Sequence, residues 1–175
     1  SAEAYGGTNL YRHKDAFYYL PTENEWVKAA YWNGTSLQTY ATKPGETLHQ
    51  GDGTNGTGWN YYSNGYATNP YGPWNVGSGS EELNGTFDMM GNVWEWMESP
   101  YSDPNYGTVS ARGLRGGSFN SGGTGNYLAS SDRYYNSPDN EISAFGFRVA
   151  SEVPEPSSVV LLSLGGLALI KRRRR

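Results

Sequence analysis

At 175 residues, with 24 glycines, 15 tyrosines, 6 tryptophans and only 36% hydrophobic residues, the chain suits one loop-rich domain held by aromatic clusters, and excludes both a packed helical bundle and a disordered polymer. Its formal charge of −4 conceals an acidic body: residues 171–175 are all basic, leaving eight Lys and Arg against seventeen Asp and Glu over residues 1–170, or −9, which argues against a nucleic-acid partner. The lack of any cysteine excludes disulfides, zinc–thiolate sites and thiol catalysis together.

Residues 1–16 are polar and irregular, with His13 their one notable group and no apolar leader of the signal-peptide kind. The aromatic run at 17–20 fits a short buried strand. Thr22 is a good N-cap, Glu25 three residues on completes a capping box, and Trp26, Val27 and Ala30 give the ensuing helix one apolar face. Asn33 and Gly34 end it. From 35 to 84 no period persists, and so long a loop in a small domain needs something to tie it down; bound calcium is one such tie.

The densest cluster of rings and ligand-capable oxygens follows at 87–96, FDMMGNVWEW. Asp88, Asn92 and Glu95 set carboxylate and amide oxygens at short spacing around Gly91, beside Trp94 and Trp96. Oxygens so spaced suit either a hard cation, which in the case of calcium takes about 6–8 oxygen ligands, or a tight turn with solvated acids. Residues 98–111 read as a turn-rich loop, 113–118 as a strand in which Gly116 and Gly117 permit a bulge or close backbone approach, and 121–125 as a flexible glycine-rich stretch. Segments 131–134 and 145–149 read as closing strands, with Arg133 and Arg148 pairing body carboxylates. Asn-Gly-Thr triplets at Asn33, Asn55 and Asn84 fit the glycosylation pattern by chance, given so many of these residues.

Past Ser151 the sequence changes character: VPEPS, then a mostly apolar run at 159–170, then KRRRR. Twelve helical residues reach about 18 Å, short of the roughly 30 Å hydrocarbon core. The arrangement closely resembles the PEP-CTERM sorting signal of Gram-negative bacteria. It implies an exosortase as partner, transient association with the inner membrane with the basic end cytoplasmic, and delivery to the cell surface or extracellular matrix after cleavage.

Four phrases stand in a telling order: LPTENEW (20–26), GNVWEW (91–96), RGGSF (115–119) and GFRVA (146–150). Together they resemble the formylglycine-generating enzyme, or sulfatase-modifying factor, family over residues 18–151. The resemblance implies an α+β, C-type-lectin-like fold, loop-rich with few short elements, occupying 1–151 as the C-terminal portion of a longer protein, with 152–175 as the sorting tail. It also implies structural calcium held by Asp88, the backbone oxygens of Gly91 and Val93, and Glu95. A second, gapped alignment places another calcium at Asn60, Tyr61, Asn69 and Tyr71.

Trp94 and Ser118 match residues lining the family's active-site region. The two cysteines that hold copper there fall on Ser121 and near Asn126, and hydroxyl and amide groups are poor ligands for soft Cu(I), so no copper is expected. The three-histidine iron sites of the wider superfamily have only His13 and His49 to draw on, both in irregular polar stretches. The expected function is a non-catalytic, surface-displayed module that binds a peptide or glycan through an aromatic cleft supplied by Trp59, Trp74, Trp94 and Trp96. The alternatives are a metal-dependent oxidoreductase of the same superfamily, with ligands from missing sequence, and a structural matrix protein.

Overall fold

The computed structural model describes residues 15–102, 111–121 and 125–152; His13, most of the loop expected at 98–111, the centre of the glycine-rich stretch and the tail from 153 onward lie outside the described residues. Helix α1, Glu23–Tyr31, begins as its sequence dictates. Thr22 Oγ1 accepts the Glu25 N–H at 3.3 Å, and Glu25 returns a carboxylate oxygen to the Thr22 N–H at 2.7 Å. Its inner face buries Trp26, Ala30 and Tyr31. At its far end the Asn84 side chain donates to the carbonyls of Ala29 and Trp32, both at 3.0 Å, where a helix runs out of N–H partners of its own.

Four strands, β1 (Trp94–Pro100), β2 (Arg112–Arg115), β3 (Tyr134–Asn136) and β4 (Phe145–Phe147), form one sheet in the order β3-β2-β1-β4. The β1–β2 and β2–β3 pairs are antiparallel, whereas β4 lies parallel to β1 with Trp94 opposite Phe145. The β1–β2 register slips between Trp96 and Pro100, so β1 buries two residues in every three instead of alternating. That irregularity corrects the expected loop from residue 98: the first part of it is strand, as β1 extends to Pro100.

Other expectations shorten. The buried strand at 17–20 is a single antiparallel bridge between Tyr19 and Ala150, and Phe17 and Tyr18 point outward at 66% and 65% exposure, because Ala150 is the partner that segment finds. The strand expected to run to Ser118 stops at Arg115, where Gly116 and Gly117 turn to φ of 95° and 73°. A Cβ on Gly116 would sit 2.6 Å from the Met89 carbonyl oxygen, the close approach that its sequence position suggested. Between α1 and β1 lies the core: Trp26, Ala30, Tyr31, Ala41, Trp59, Tyr61, Met89, Met90, Met97 and Leu128. Tyr31 directs its hydroxyl to the Leu128 carbonyl at 2.8 Å, and burial holds its pKa far above the usual phenol.

The long loop between Trp32 and β1 is tied down by side-chain oxygens gripping backbone N–H groups. Glu82, fully buried, accepts from the N–H of Met89 and Met90 and from Thr86 Oγ1, at 2.9–3.1 Å. Desolvation lifts its pKa to about 7 against those bonds. Asn92 Oδ1 takes the Trp74 N–H at 2.6 Å, and the loop closes on itself where Gln50 bridges to Trp59.

Candidate functional site

The turn before β1 is built from residues that tolerate left-handed backbone: Asp88, Gly91 and Asn92 have φ of 57°, 76° and 61°. Gly91 packs so tightly that a Cβ there would lie 2.4 Å from the Asn60 carbonyl oxygen. The turn buries Asp88 with its carboxylate aimed at the Gly77 N–H (2.6 Å) and the Gly79 N–H (3.2 Å). Seven residues on, Glu95 is buried within β1. Its Oε2 accepts from Trp26 Nε1 at 2.6 Å, and Arg148 grips both oxygens from β4's continuation, Nε to Oε2 and Nη2 to Oε1, each at 2.5 Å. Burial raises the Glu95 pKa, with the Arg148 guanidinium and the Trp26 bond opposing it.

These contacts test the cation reading of the turn. Calcium requires oxygens turned toward one point, but Glu95 offers both of its to a guanidinium and an indole, and Asp88 offers both to amides. In this arrangement the Asp88 and Glu95 carboxylates turn to separate partners and not to one shared point. In the second set, buried Asn60 turns its amide N–H toward the Gly72 carbonyl (2.9 Å) and Asn92 Oδ1 (3.2 Å), and the Tyr61 carbonyl accepts from Gln50 Nε2. Asn69 is exposed beside Pro70, and the Tyr71 ring stacks on Tyr66. No three of His, Asp and Glu cluster among the described residues. His49 braces its loop, with its ring nitrogens 2.9 and 3.1 Å from the Thr47 and Thr57 carbonyls.

At Ser121, where the resemblance places the first of the family's two cysteines, stands a small hydrogen-bonded network. Ser118, wholly buried, directs Oγ to Asn120 Oδ1 at 2.7 Å and meets Ser121 Oγ at 2.9 Å, and Ser121 Oγ also accepts the Ser118 N–H at 2.9 Å. Asn126 is exposed at the start of a short 3-10 turn (Asn126–Leu128). Trp94 is buried, its ring 5.2 Å from Tyr134 and 6.1 Å from Tyr127.

The expected aromatic cleft is corrected in its membership. Trp59 is fully buried in the core and Trp94 nearly so, since the apolar demand of a chain poor in Leu, Ile and Val draws its largest rings inward; Trp74 and Trp96 are half-buried. Trp96 lines a cleft of about 430 Å³ with Ile142, Phe145 and Phe147. The exposed rings of residues 53–80 are instead Tyr66 and Tyr71, stacked at 4.2 Å; half-buried Tyr62 meets Tyr66 edge-to-face, and the run ends on Phe119. Sequence reading passed over Tyr62 and Tyr66 among 15 tyrosines and named Tyr71 only for the second calcium set; spacing in a loop without period gave no signal of a ring run.

Comparison with known proteins accords with this geometry. Residues 2–153 match the sulfatase-modifying factor enzyme 1-like domain, and residues 152–175 match the PEP-CTERM protein-sorting motif, which marks the chain for recognition by an exosortase and export in a Gram-negative bacterium. Over 75 residues the chain is 39% identical to the inactive C-alpha-formylglycine-generating enzyme 2 of Mus musculus, covering 41% of this chain and 23% of that one. Among solved structures it resembles CarF (25% identity, TM-score 0.62, covering 82% of this chain and 50% of that one) and Treponema denticola variable protein 1 (26%, 0.57, 78% and 48%). PvdO from Pseudomonas aeruginosa shares the fold (24%, TM-score 0.54, 78% and 53%). The chain thus spans about half the length of these structures. With the motif phrases gathered around one small sheet and one capped helix, the chain belongs to the sulfatase-modifying factor enzyme 1-like domain family.

Proposed function

We propose that this is an exported, surface-displayed module that binds a ligand through exposed aromatic rings and does not oxidise cysteine. The observation that carries it is Ser121: hydrogen-bonded to Ser118, it stands at the first of the two positions where the resemblance places a copper-holding thiolate, the second falls near Asn126, and a hydroxyl and an amide are poor ligands for soft Cu(I). The likeness to a relative named inactive runs the same way. Aromatic rings left exposed beside Ser118 and Ser121 supply contact area instead. In this reading Arg148, seated on Glu95, supplies the positive charge that the sequence assigned to calcium, and the body folds without the ion.

The full chain, loaded with Cu(I), is incubated with a cysteine peptide under oxygen, and the peptide is followed by mass spectrometry. Unchanged peptide is expected. Stoichiometric copper uptake with conversion of cysteine to formylglycine would defeat the reading.

A further inference from the structure

The loop at 53–80 contains no Asp, Glu, Lys, Arg or His, and Tyr, Gly, Asn and Ser supply 19 of its 28 residues. In an acidic body that is a deliberate vacancy of charge. The same mixture serves loops that recognise ligands, where tyrosine gives rigid amphipathic area at small entropic cost and Ser, Gly and Asn give adaptable hydrogen bonds. Here the loop is also fixed from beneath. Trp59 is wholly buried, Gln50 Nε2 holds the Tyr61 and Gly65 carbonyls (2.5 and 2.9 Å), Asn92 holds Trp74, and Asp88 holds Gly77 and Gly79. Such bracing lowers the ordering cost of binding.

On this floor Tyr66 and Tyr71 stack with 14° between their planes and remain 44% and 61% exposed. Tyr62 meets Tyr66 edge-on at 5.1 Å, and Phe119, 4% exposed, stands at the other end of the run, 6.3 Å from Tyr71 and next in sequence to Ser118. We infer that the Tyr62–Tyr66–Tyr71 run is a binding platform for a neutral polysaccharide. A pyranose ring offers a face of C–H bonds, which meets the electron-rich face of a tyrosine, and a rim of hydroxyls, which meets phenol, amide and hydroxyl groups. Neither partner brings a charge. A charged peptide or an acidic polymer would find no counter-charge on this loop and an acidic body beyond it.

This inference rests on the proposed reading of a binding module and narrows its ligand and site. The test is retention of the full chain on cellulose, chitin and an insoluble β-1,3-glucan, with alginate as acidic comparator and an immobilised peptide library alongside. Binding to at least one neutral polysaccharide is expected, little changed by salt, with the Tyr66→Ala and Tyr71→Ala variants each weakened about tenfold. Phe147→Ala, in the Trp96 cleft, should bind as the parent does, and near-ultraviolet circular dichroism should confirm that every variant is folded. Retention unaffected by both tyrosine changes, or equal retention on alginate, overturns the inference. If peptides bind through Tyr66 and Tyr71 while no polysaccharide does, the glycan is wrong and the binding module stands. Loss of glycan binding in Phe147→Ala alone moves the site to the Trp96 cleft and overturns the platform. No binding by any probe, with cysteine oxidised, removes both.

Discussion

Two regions of this molecule handle polar groups in opposite ways. Around α1 and the start of β1, charges are drawn out of solvent: Glu95 is buried beneath Arg148 and Trp26, Glu82 is buried under Met89 and Met90, and Glu23 is half-buried between Arg115 (2.5 Å) and Arg133 (2.6 Å). Across 53–80 there are no charges, and while Trp59 and Tyr61 anchor the segment in the core, the Tyr66 and Tyr71 rings face out. The first region fixes conformation at the cost of desolvation; the second uses that fixity to present a surface. If the contrast is real, changes in the first region should cost stability and changes in the second should cost binding alone.

The largest effect should come from Arg148→Met. It strands a buried carboxylate whose remaining partner is the Trp26 indole, and removing one member of a buried pair costs about 3–5 kcal/mol. Urea denaturation measures it. Calcium sharpens the comparison: the parent's melting temperature should be the same in calcium and in EDTA, because Arg148 already neutralises Glu95. A rise of several degrees with one equivalent of calcium bound would show that Arg148 yields to the ion and that the first region is a metal site after all.

Next is Glu82. Its pKa stands near 7 in the fold against 4.5 for the free group, because burial penalises the charge more than its three hydrogen bonds favour it. A carboxyl raised in the fold binds its proton more tightly there than when unfolded. Its contribution is full below pH 4.5 and is lost as the pH climbs through 7, amounting to about 3 kcal/mol across the window. Urea midpoints from pH 4.5 to 7.5 should fall by this increment in the parent, and the fall should flatten in Glu82→Gln. An equal slope in both would place the pH dependence elsewhere.

Smaller again is Thr22→Ala, which removes the acceptor for the Glu25 N–H and should cost about 1 kcal/mol by the same denaturation. This helix was also the most legible element of the sequence, because a capping box lies within four residues and needs no distant partner. β1 was illegible as a strand for the opposite reason. Its partners are Arg112–Arg115 and Phe145–Phe147, far along the chain, and its register slip erases the alternation that marks a strand. At the site, the phrase carrying Asp88 and Glu95 was found, and so was the pairing of Arg148 with a body carboxylate; what sequence did not reveal is that both belong to one contact. Likewise nothing in a tryptophan's neighbours told that Trp59 goes inward and Tyr71 outward. Burial there is decided by Glu82, Asn92 and Asp88 gathering the loop's N–H groups from separate places.

The smallest expected change in stability is at the surface region. Tyr71→Ala removes a ring that is mostly solvated and touches Tyr66 and Phe119 from outside, so its unfolding free energy should move by no more than about 0.5 kcal/mol. The loop's conformation is held by groups other than this ring: Gln50, Asn92 and Asp88 grip backbone atoms, and Trp59 anchors the core side. A loss of 2 kcal/mol or more (the about 1.5–3 kcal/mol of a fully buried large side chain) would mean that the tyrosine run is a satellite of the core, and the contrast between a charged, fixed region and an uncharged, presenting one would collapse. A stable variant that no longer holds polysaccharide would separate the two regions in a single substitution, because folding and recognition would then have been shown to rest on different residues of the same loop.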